Sequence, residues 1–547
     1  MMGSKARVRT RLREALISLR RLLGRGGAQY DWAKDGYVRS ATYFGRDWPI
    51  NFWNSGTEGL EDDLAGIAAD GFTSIILVIP WRELQPTIDP VTYQDYPFMK
   101  LRRVLQAAAA HHLDVYVRLG YFWDLCPDGT PSLSERIFAL FAGGQALTAW
   151  KAYAKRLYDE LRPFQNFRGA FLTWEDFWWF FSIPNLQADE RLARAQAVGY
   201  QDWLRGQTSL EAYNERFGTS YQCIEDIPFP YQQTPEMEAM YQYFDDWLND
   251  LLAATQEVFP GISLEVRIDE DPIFRDGKLH HTYCHEATYH CGTAPFTAVM
   301  YGVPMGFENQ GERVTAAETL ERTEGMLSRL LQKNGGKSLY VEQFIFCDNT
   351  PQCAHNARLK EEEILPYLQG AAPILRRCSR GYGIWTYRDY ENNALYNPNF
   401  ALKGRGWDVQ GTCAFSEGAC RMEAGAAIAQ RLTATRISLL CMSLDYLHNT
   451  RISIDVTAAQ EGSVLRVTLG DFTQDLPVDQ PGLIRIRIPA LGWEEEHDFS
   501  LSALQGALTL GRVSVWSHVT EGGVRHVDGS PYPYLAGVRA LNAALAY

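Results

Sequence analysis

From about residue 60 to residue 390 the chain alternates two patterns: segments with apolar residues at three- and four-residue spacing, and short continuous apolar runs. LEDDLAGIAADG reads as an amphipathic helix closing on Gly71, and FTSIILVIP follows as a buried strand leading into the loop WRELQPT. The pair recurs. MKLRRVLQAAAAHHL predicts a helix and DVYVRLGYFWD a strand; ALTAWKAYAKRLYDELRPF predicts a helix and FRGAFLTWEDFWW a strand. ISLEVRIDED, TAVMYGVPM and KSLYVEQFIF add three strands, and GYGIWTYRDY adds another after the helix KEEEILPYLQGAAPILRRC. With the segment YVRSATYFGRDWPINFW supplying a first strand, the count reaches eight. Strands that alternate with helices build a parallel sheet, and eight of them close into a (β/α)8 TIM barrel whose loops after the strands carry the active site.

After about Asn397 the period changes from helical to alternating. RISIDVTA, SVLRVTLGD, LIRIRIPAL and LTLGRVSVWSHV are strands punctuated by Gly and Asp, which predicts a jelly-roll-like β-sandwich ending in the helical tail LAGVRALNAALAY. The expected organisation is a basic leader helix over 1–35, a catalytic barrel over 36–396 with an insertion around 180–250, and a sandwich like a carbohydrate-binding module over 397–547.

Charge and composition narrow the chemistry. A net charge of −14 argues against nucleic acid, whose phosphates require a basic surface. Aromatics at 13% suit sugar rings, which present C–H groups to π-faces. The leader carries Lys5, Arg7, Arg9, Arg11, Arg13, Arg20, Arg21 and Arg25 against Glu14, a pattern suited to peripheral contact with an anionic membrane or a protein partner. It contains no apolar core of the kind an export signal needs, so the default expectation is cytoplasmic. Ten scattered cysteines are expected as thiols, although Cys347/Cys353 and Cys413/Cys420 are spaced to close short loops in an oxidising compartment. No Gly-rich phosphate loop and no GxSxG elbow occurs, and no cofactor is expected.

Carboxylates at the strand ends carry the functional reading. Glu175 follows the fourth strand in FLTWEDFWWF, and Glu342 lies in YVEQF on the seventh. Strands four and seven face each other across a barrel mouth, so the two acids flank a ring held between them; glycosidic cleavage needs such a pair. Glu265, Asp269, Glu270 and Asp271 around the fifth strand are rival acids, and Asp176 is secondary. The order and context of Glu175 and Glu342 resemble the retaining glycoside hydrolases of clan A, with Tyr301 in VMYGV and Trp385 in GIWTY standing where that clan has a tyrosine near the nucleophile and a platform tryptophan. Residues 200–230 and YVEQF are similar to family 42 β-galactosidases. The clan has Asn immediately before the acid/base; Trp174 stands there instead, and the trimer-forming domain of family 42 has no counterpart.

The resemblance implies a retaining β-glycoside hydrolase with Glu175 as acid/base and Glu342 as nucleophile. Trp81, Arg118, Trp123, Trp174, Tyr301 and Trp385 are the expected sugar contacts, with Glu83 and Asp124 beside them, and Trp407, Trp493 and Trp516 are stacking candidates on the sandwich. The alternatives are a catalytically idle barrel that binds polysaccharide in exopolysaccharide assembly, and a membrane-associated interaction protein. His280, His281, Cys284, His285, His290 and Cys291 have ligand chemistry for zinc in a spacing that matches no zinc motif, so no metal is expected. The sugar, its linkage and the oligomeric state stay open.

Overall fold

A computed structural model describes residues 36–121, 125–131, 133–173, 187–230, 234–266, 272–275, 278–281, 289–303, 307–308, 310–347, 356–416, 418–432, 451–488, 496–515 and 518–546. The expected leader over 1–35 and Glu175, Trp174, Trp123, Trp493 and Trp516 lie outside the described residues.

All eight expected strands form. They are β1 (Val38–Thr42), β2 (Ser74–Pro80), β3 (Asp114–Tyr121), β4 (Phe167–Leu172), β5 (Ser263–Val266), β6 (Phe296–Gly302), β7 (Ser338–Ile345) and β8 (Gly381–Ile384). Each pairs in parallel with its neighbour, and β8 closes on β1, giving a barrel in sequential order. Among the described residues the outer layer includes α1 (Leu60–Ala69), α2 (Asp95–Ala110), α3 (Gly144–Leu161), α4 (Met237–Gln256), α5 (Ala316–Lys333), α6 (Ile364–Cys378) and α7 (Leu535–Leu545). α1 ends where expected, with Gly71 at φ 85°, a left-handed turn that Gly adopts without a Cβ clash. Between β5 and β6 the described residues hold an antiparallel hairpin, Pro272–Arg275 with Lys278–His281, and no helix. The insertion before α4 is helical, over Ala188–Ala197, Tyr200–Gln207 and Leu210–Phe217.

The described residues between 408 and 515 form two five-stranded antiparallel sheets facing each other across an apolar core that includes Ile428, Val467, Leu501 and Ile454. Trp407 belongs to that core. It is 6% exposed, donates its indole N–H to the Asn397 carbonyl and packs on Phe400 and Phe499, so its ring is spent on packing rather than offered to a sugar.

The expected sandwich segment 397–547 divides in the structure. α7, the helical tail, packs on α6: a Cβ on Gly537 would meet Leu365 and Leu368. Asn542 of α7 accepts from the β8 hydroxyl of Tyr382 at 2.6 Å and donates to the Asp70 carbonyl at the end of α1 at 2.9 Å. α7 therefore fills the place of the eighth barrel helix, between α6 and α1. The sandwich is an insertion between β8 and that helix, entered and left through adjacent strands, Tyr390–Asn392 paired antiparallel with His518–Thr520.

Candidate active site

The barrel interior is built in layers. At the lower level Tyr340 packs against Phe171, Phe296 and Tyr116, and its hydroxyl donates to Ser40 at 2.6 Å, which in turn bonds Ser74 at 2.5 Å. Burial, with the charge of Glu342 adding to it, holds the Tyr340 hydroxyl well above its ordinary pKa.

Glu342 is 0% exposed. It is also the extra residue of a β-bulge. On one side Val341 pairs with Val299 and Gln343 with Met300; on the other, Val341 pairs with Tyr382 and Phe344 with Ile384, so β7 carries one residue more than either neighbour at this point. A bulge re-aims a side chain and breaks the ladder locally, and such irregularities cluster next to active sites. The neighbouring strand makes room: a Cβ on Gly383 would lie 2.9 Å from the Glu342 carbonyl oxygen and 2.7 Å from Ile76. Only glycine fits there. Bulge and glycine together hold a carboxylate inside the mouth end of the barrel, where burying it costs several kcal/mol unless the surroundings compensate.

Arg118 on β3 and Glu265 on β5 meet across the interior. Arg118 Nε donates to Glu265 Oε2 at 2.7 Å and Nη2 to Oε1 at 2.9 Å, while Nε also reaches Thr173 Oγ1 at 3.0 Å, just beyond β4. Both side chains are essentially without solvent exposure. Sequence reading treated Arg118 as a sugar contact and Glu265 as a rival acid; the structure commits them to each other in a two-pronged ion pair. Trp81, also expected at a subsite, is 1% exposed, donates its indole N–H to Gln85 at 2.7 Å and stands edge-on to Trp150 with Arg136 over its ring. Packing accounts for its contacts. Glu83 is likewise interior, bonded by the Tyr396 hydroxyl at 3.0 Å.

Trp385 follows β8 and is partly exposed, its ring 5.4 Å from Phe44. Tyr301 lies on β6 in register with Phe344, beyond the bulge. Asp269, Glu270 and Asp271 lie outside the described residues, as do Asp124 and Asp176. Sequence reading missed Gly383 and Thr173; Gln343, the Gln that follows Glu342 in YVEQF, is 2% exposed. The GYG of GYGIW was the signal for the first, since glycines inside a strand mark a close approach.

Of the soft-ligand segment, His290 bonds Asp246 at 3.1 Å and Cys291 is buried near the Asn334 carbonyl; His280, His281, Cys284 and His285 have no described side chains. No group suited to holding a metal ion occurs among the described residues. Cys413 and Cys420 are free thiols on neighbouring strands.

Neither a known protein family nor a curated protein matches the sequence. Among solved structures the chain is similar to a GH5_18 variant from Bifidobacterium longum subsp. longum in complex with Manβ1-4GlcNAc, at 16% identity and TM-score 0.41 over 64% of this chain and 69% of that one. An exo-β-1,4-mannosidase from Opitutaceae bacterium strain TAV5 is similar at 15% identity and TM-score 0.39, over 65% of this chain and 53% of that one. A GH5_18 from Streptomyces cattleya in complex with GlcNAc is similar at 15% identity and TM-score 0.41, over 65% and 71%. Likeness at this level assigns no activity, and the family 42 resemblance is not shown by these comparisons.

Proposed function

We propose that the barrel is a retaining β-glycoside hydrolase in which Glu342 attacks the anomeric carbon. The observation that carries this reading is the placement of Glu342, a fully buried carboxylate at a bulge in the seventh strand, inside the mouth end of a closed parallel barrel. A nucleophile held rigidly in a water-poor site gains from such a placement. Glu175, just past β4, is the partner acid: it protonates the leaving oxygen, and after the glycosyl-enzyme forms it deprotonates the incoming water. Trp385, just past β8, the strand beside β7, is the sugar platform.

The test uses aryl β-glycosides. Glu342→Gln lowers kcat by more than roughly a thousandfold while leaving the far-ultraviolet spectrum unchanged. Glu342→Gly regains turnover with azide to give the α-glycosyl azide, and a 2-deoxy-2-fluoroglycoside labels Glu342 covalently. A Glu342→Gln protein as active as the parent removes the residue from the mechanism. Absence of turnover on every glycoside, with retained polysaccharide binding, supports the idle binding barrel instead.

A further inference from the structure

The bulge in β7 turns a second side chain into the barrel. Val341 faces outward: its register partner on β8, Tyr382, carries a hydroxyl bonded to Asn542 of α7 at 2.6 Å. Phe344 also faces outward, its ring stacked on Tyr367 of α6 with centroids 5.8 Å apart. Unbroken alternation would set residues three apart on opposite faces of a strand, so the two between them, Glu342 and Gln343, share the inner face. Both neighbouring strands agree. Gly383 alone stands opposite the two on β8, and a Cβ there would meet Ile76 and Ser40 inside the barrel. On β6 the partner of Gln343 is Met300, which alternation from Phe296 and Ala298 of the interior layer also sets on the inner face.

Gln343 is 2% exposed, and its side-chain amide makes no hydrogen bond among the described residues. A buried amide carries two donors and an acceptor, and leaving them unmade costs stability, so such a group calls for a partner that the folded chain does not itself supply. We propose that the Gln343 amide binds the 2-hydroxyl of the sugar ring whose C1 meets Glu342, which makes the ligand a neutral β-hexoside with a free 2-hydroxyl. The assignment rests on the reading of Glu342 as the group that attacks C1. Consecutive Cα atoms stand about 3.8 Å apart, and glutamine matches glutamate in length, so two such side chains on one face end at neighbouring atoms of a bound ring. The hydroxyl one carbon from C1 is the 2-hydroxyl. A hydroxyl donates and accepts at once, and an amide complements both. The ring oxygen, the other neighbour of C1, only accepts and would leave the amide carbonyl unpaired.

Binding of 4-nitrophenyl 1-thio-β-glycosides, whose sulfur link resists cleavage, tests the contact without turnover, so its failure is separate from that of the hydrolase reading. In calorimetric titration of the full chain, the tightest of the glucoside, galactoside and mannoside loses affinity roughly tenfold or more when its 2-hydroxyl is removed, since a site built to pair a hydroxyl rejects the analogue lacking it. Gln343→Met keeps the length and drops both polar atoms. It weakens the hydroxylated ligand by roughly the same factor and the 2-deoxy ligand by less than about twofold, so the preference disappears. A packing role would weaken both ligands alike. Gln343→Asn, whose amide falls one methylene short, loses the preference too, and it serves where Gln343→Met does not fold. A protein that shows this pattern yet hydrolyses no glycoside keeps the contact and ends the hydrolase reading. Equal losses on the two ligands, a 2-hydroxyl preference unchanged in both variants, or no heat from any of the three thioglycosides up to about 10 mM overturns the proposal.

Discussion

Lys100 on α2 donates to the backbone carbonyls of Phe52, Ser55 and Gly56, the last two at 3.0 and 2.8 Å, with its ammonium over the Phe52 ring. Burial pushes its pKa down to about 7, against the pull of Asp47, Glu58 and Glu83. Between that value and the ordinary lysine range the folded chain holds fewer protons than the unfolded one, so stability rises with pH there and is lost as pH falls toward 7. Denaturant unfolding at pH 7 and pH 9.5 should show the parent gaining on Lys100→Met as pH rises, with no such trend below about pH 6. Arg118 and Glu265 make a second case. Arg118→Met strands a buried carboxylate and should cost about 3–5 kcal/mol, while Arg118→Met with Glu265→Leu should recover most of it, because the desolvation of both ions is removed together. Equal losses in the single and double variants would show that the pair shapes the barrel through more than its charges. Both residues were visible in the sequence as charged groups at strand ends; that they neutralise each other was not, since the pairing spans 147 positions and only barrel closure joins them.

β7 shows how an element's irregularity outlasts its pattern. KSLYVEQFIF reads as a plain buried strand, and the sequence places Glu342 on it correctly, yet no residue there announces the bulge. The bulge exists because both neighbouring strands advance one residue less over the same stretch, a relation between three strands rather than a property of one. The eight strands were legible because each is a continuous apolar run between helical periods. α7 was legible as a helix and not in its role, because an amphipathic segment following a β-sandwich gives no sign that its apolar face belongs to an earlier domain. Asp70, with no side-chain exposure, anchors it through Arg539 at 2.7 Å, and pairs at 2.9 Å with Arg525, ahead of the helix. Leu541 is 2% exposed on the same helix. Leu541→Ala should lower stability by about 2–4 kcal/mol in urea unfolding, as a buried barrel leucine would. A loss under about 0.5 kcal/mol would mean that α7 frays from the barrel rather than completing it.

At the scale of the whole molecule, the insertion of the sandwich between β8 and α7 ties the two units through both ends and across a buried seam. Ile50 and Val78 from the barrel belong to the sandwich's apolar cluster. Asn51 donates to the carbonyls of Asn393 and Leu395, and Asn54 accepts from the Asn397 amide at 3.0 Å. Arg512 of the sandwich bonds Asp47 after β1 and Glu391 after β8 at 2.5 and 3.1 Å. Burial pulls the Arg512 guanidinium down, and the two carboxylates more than reverse it. Burial likewise raises Asp47, but Arg512 carries it below the ordinary carboxylate range. A carboxyl depressed in the folded state stabilises above its unfolded pKa and loses that contribution as pH falls through its folded one. Calorimetry near pH 7 should therefore give one unfolding transition for barrel and sandwich together. Below about pH 4, where carboxylates begin to protonate, the seam weakens and the transition should broaden or split. Arg512→Met should bring that splitting to neutral pH, since it leaves Asp47 buried beside Glu391 without its counter-charge. Two separate transitions in the parent at pH 7 would show the units to be energetically independent. In that case cutting out residues 397–512 and bridging the paired strands Tyr390–Asn392 and His518–Thr520 should leave a folded barrel, whereas ending the chain at 396 should not, because it removes α7 as well.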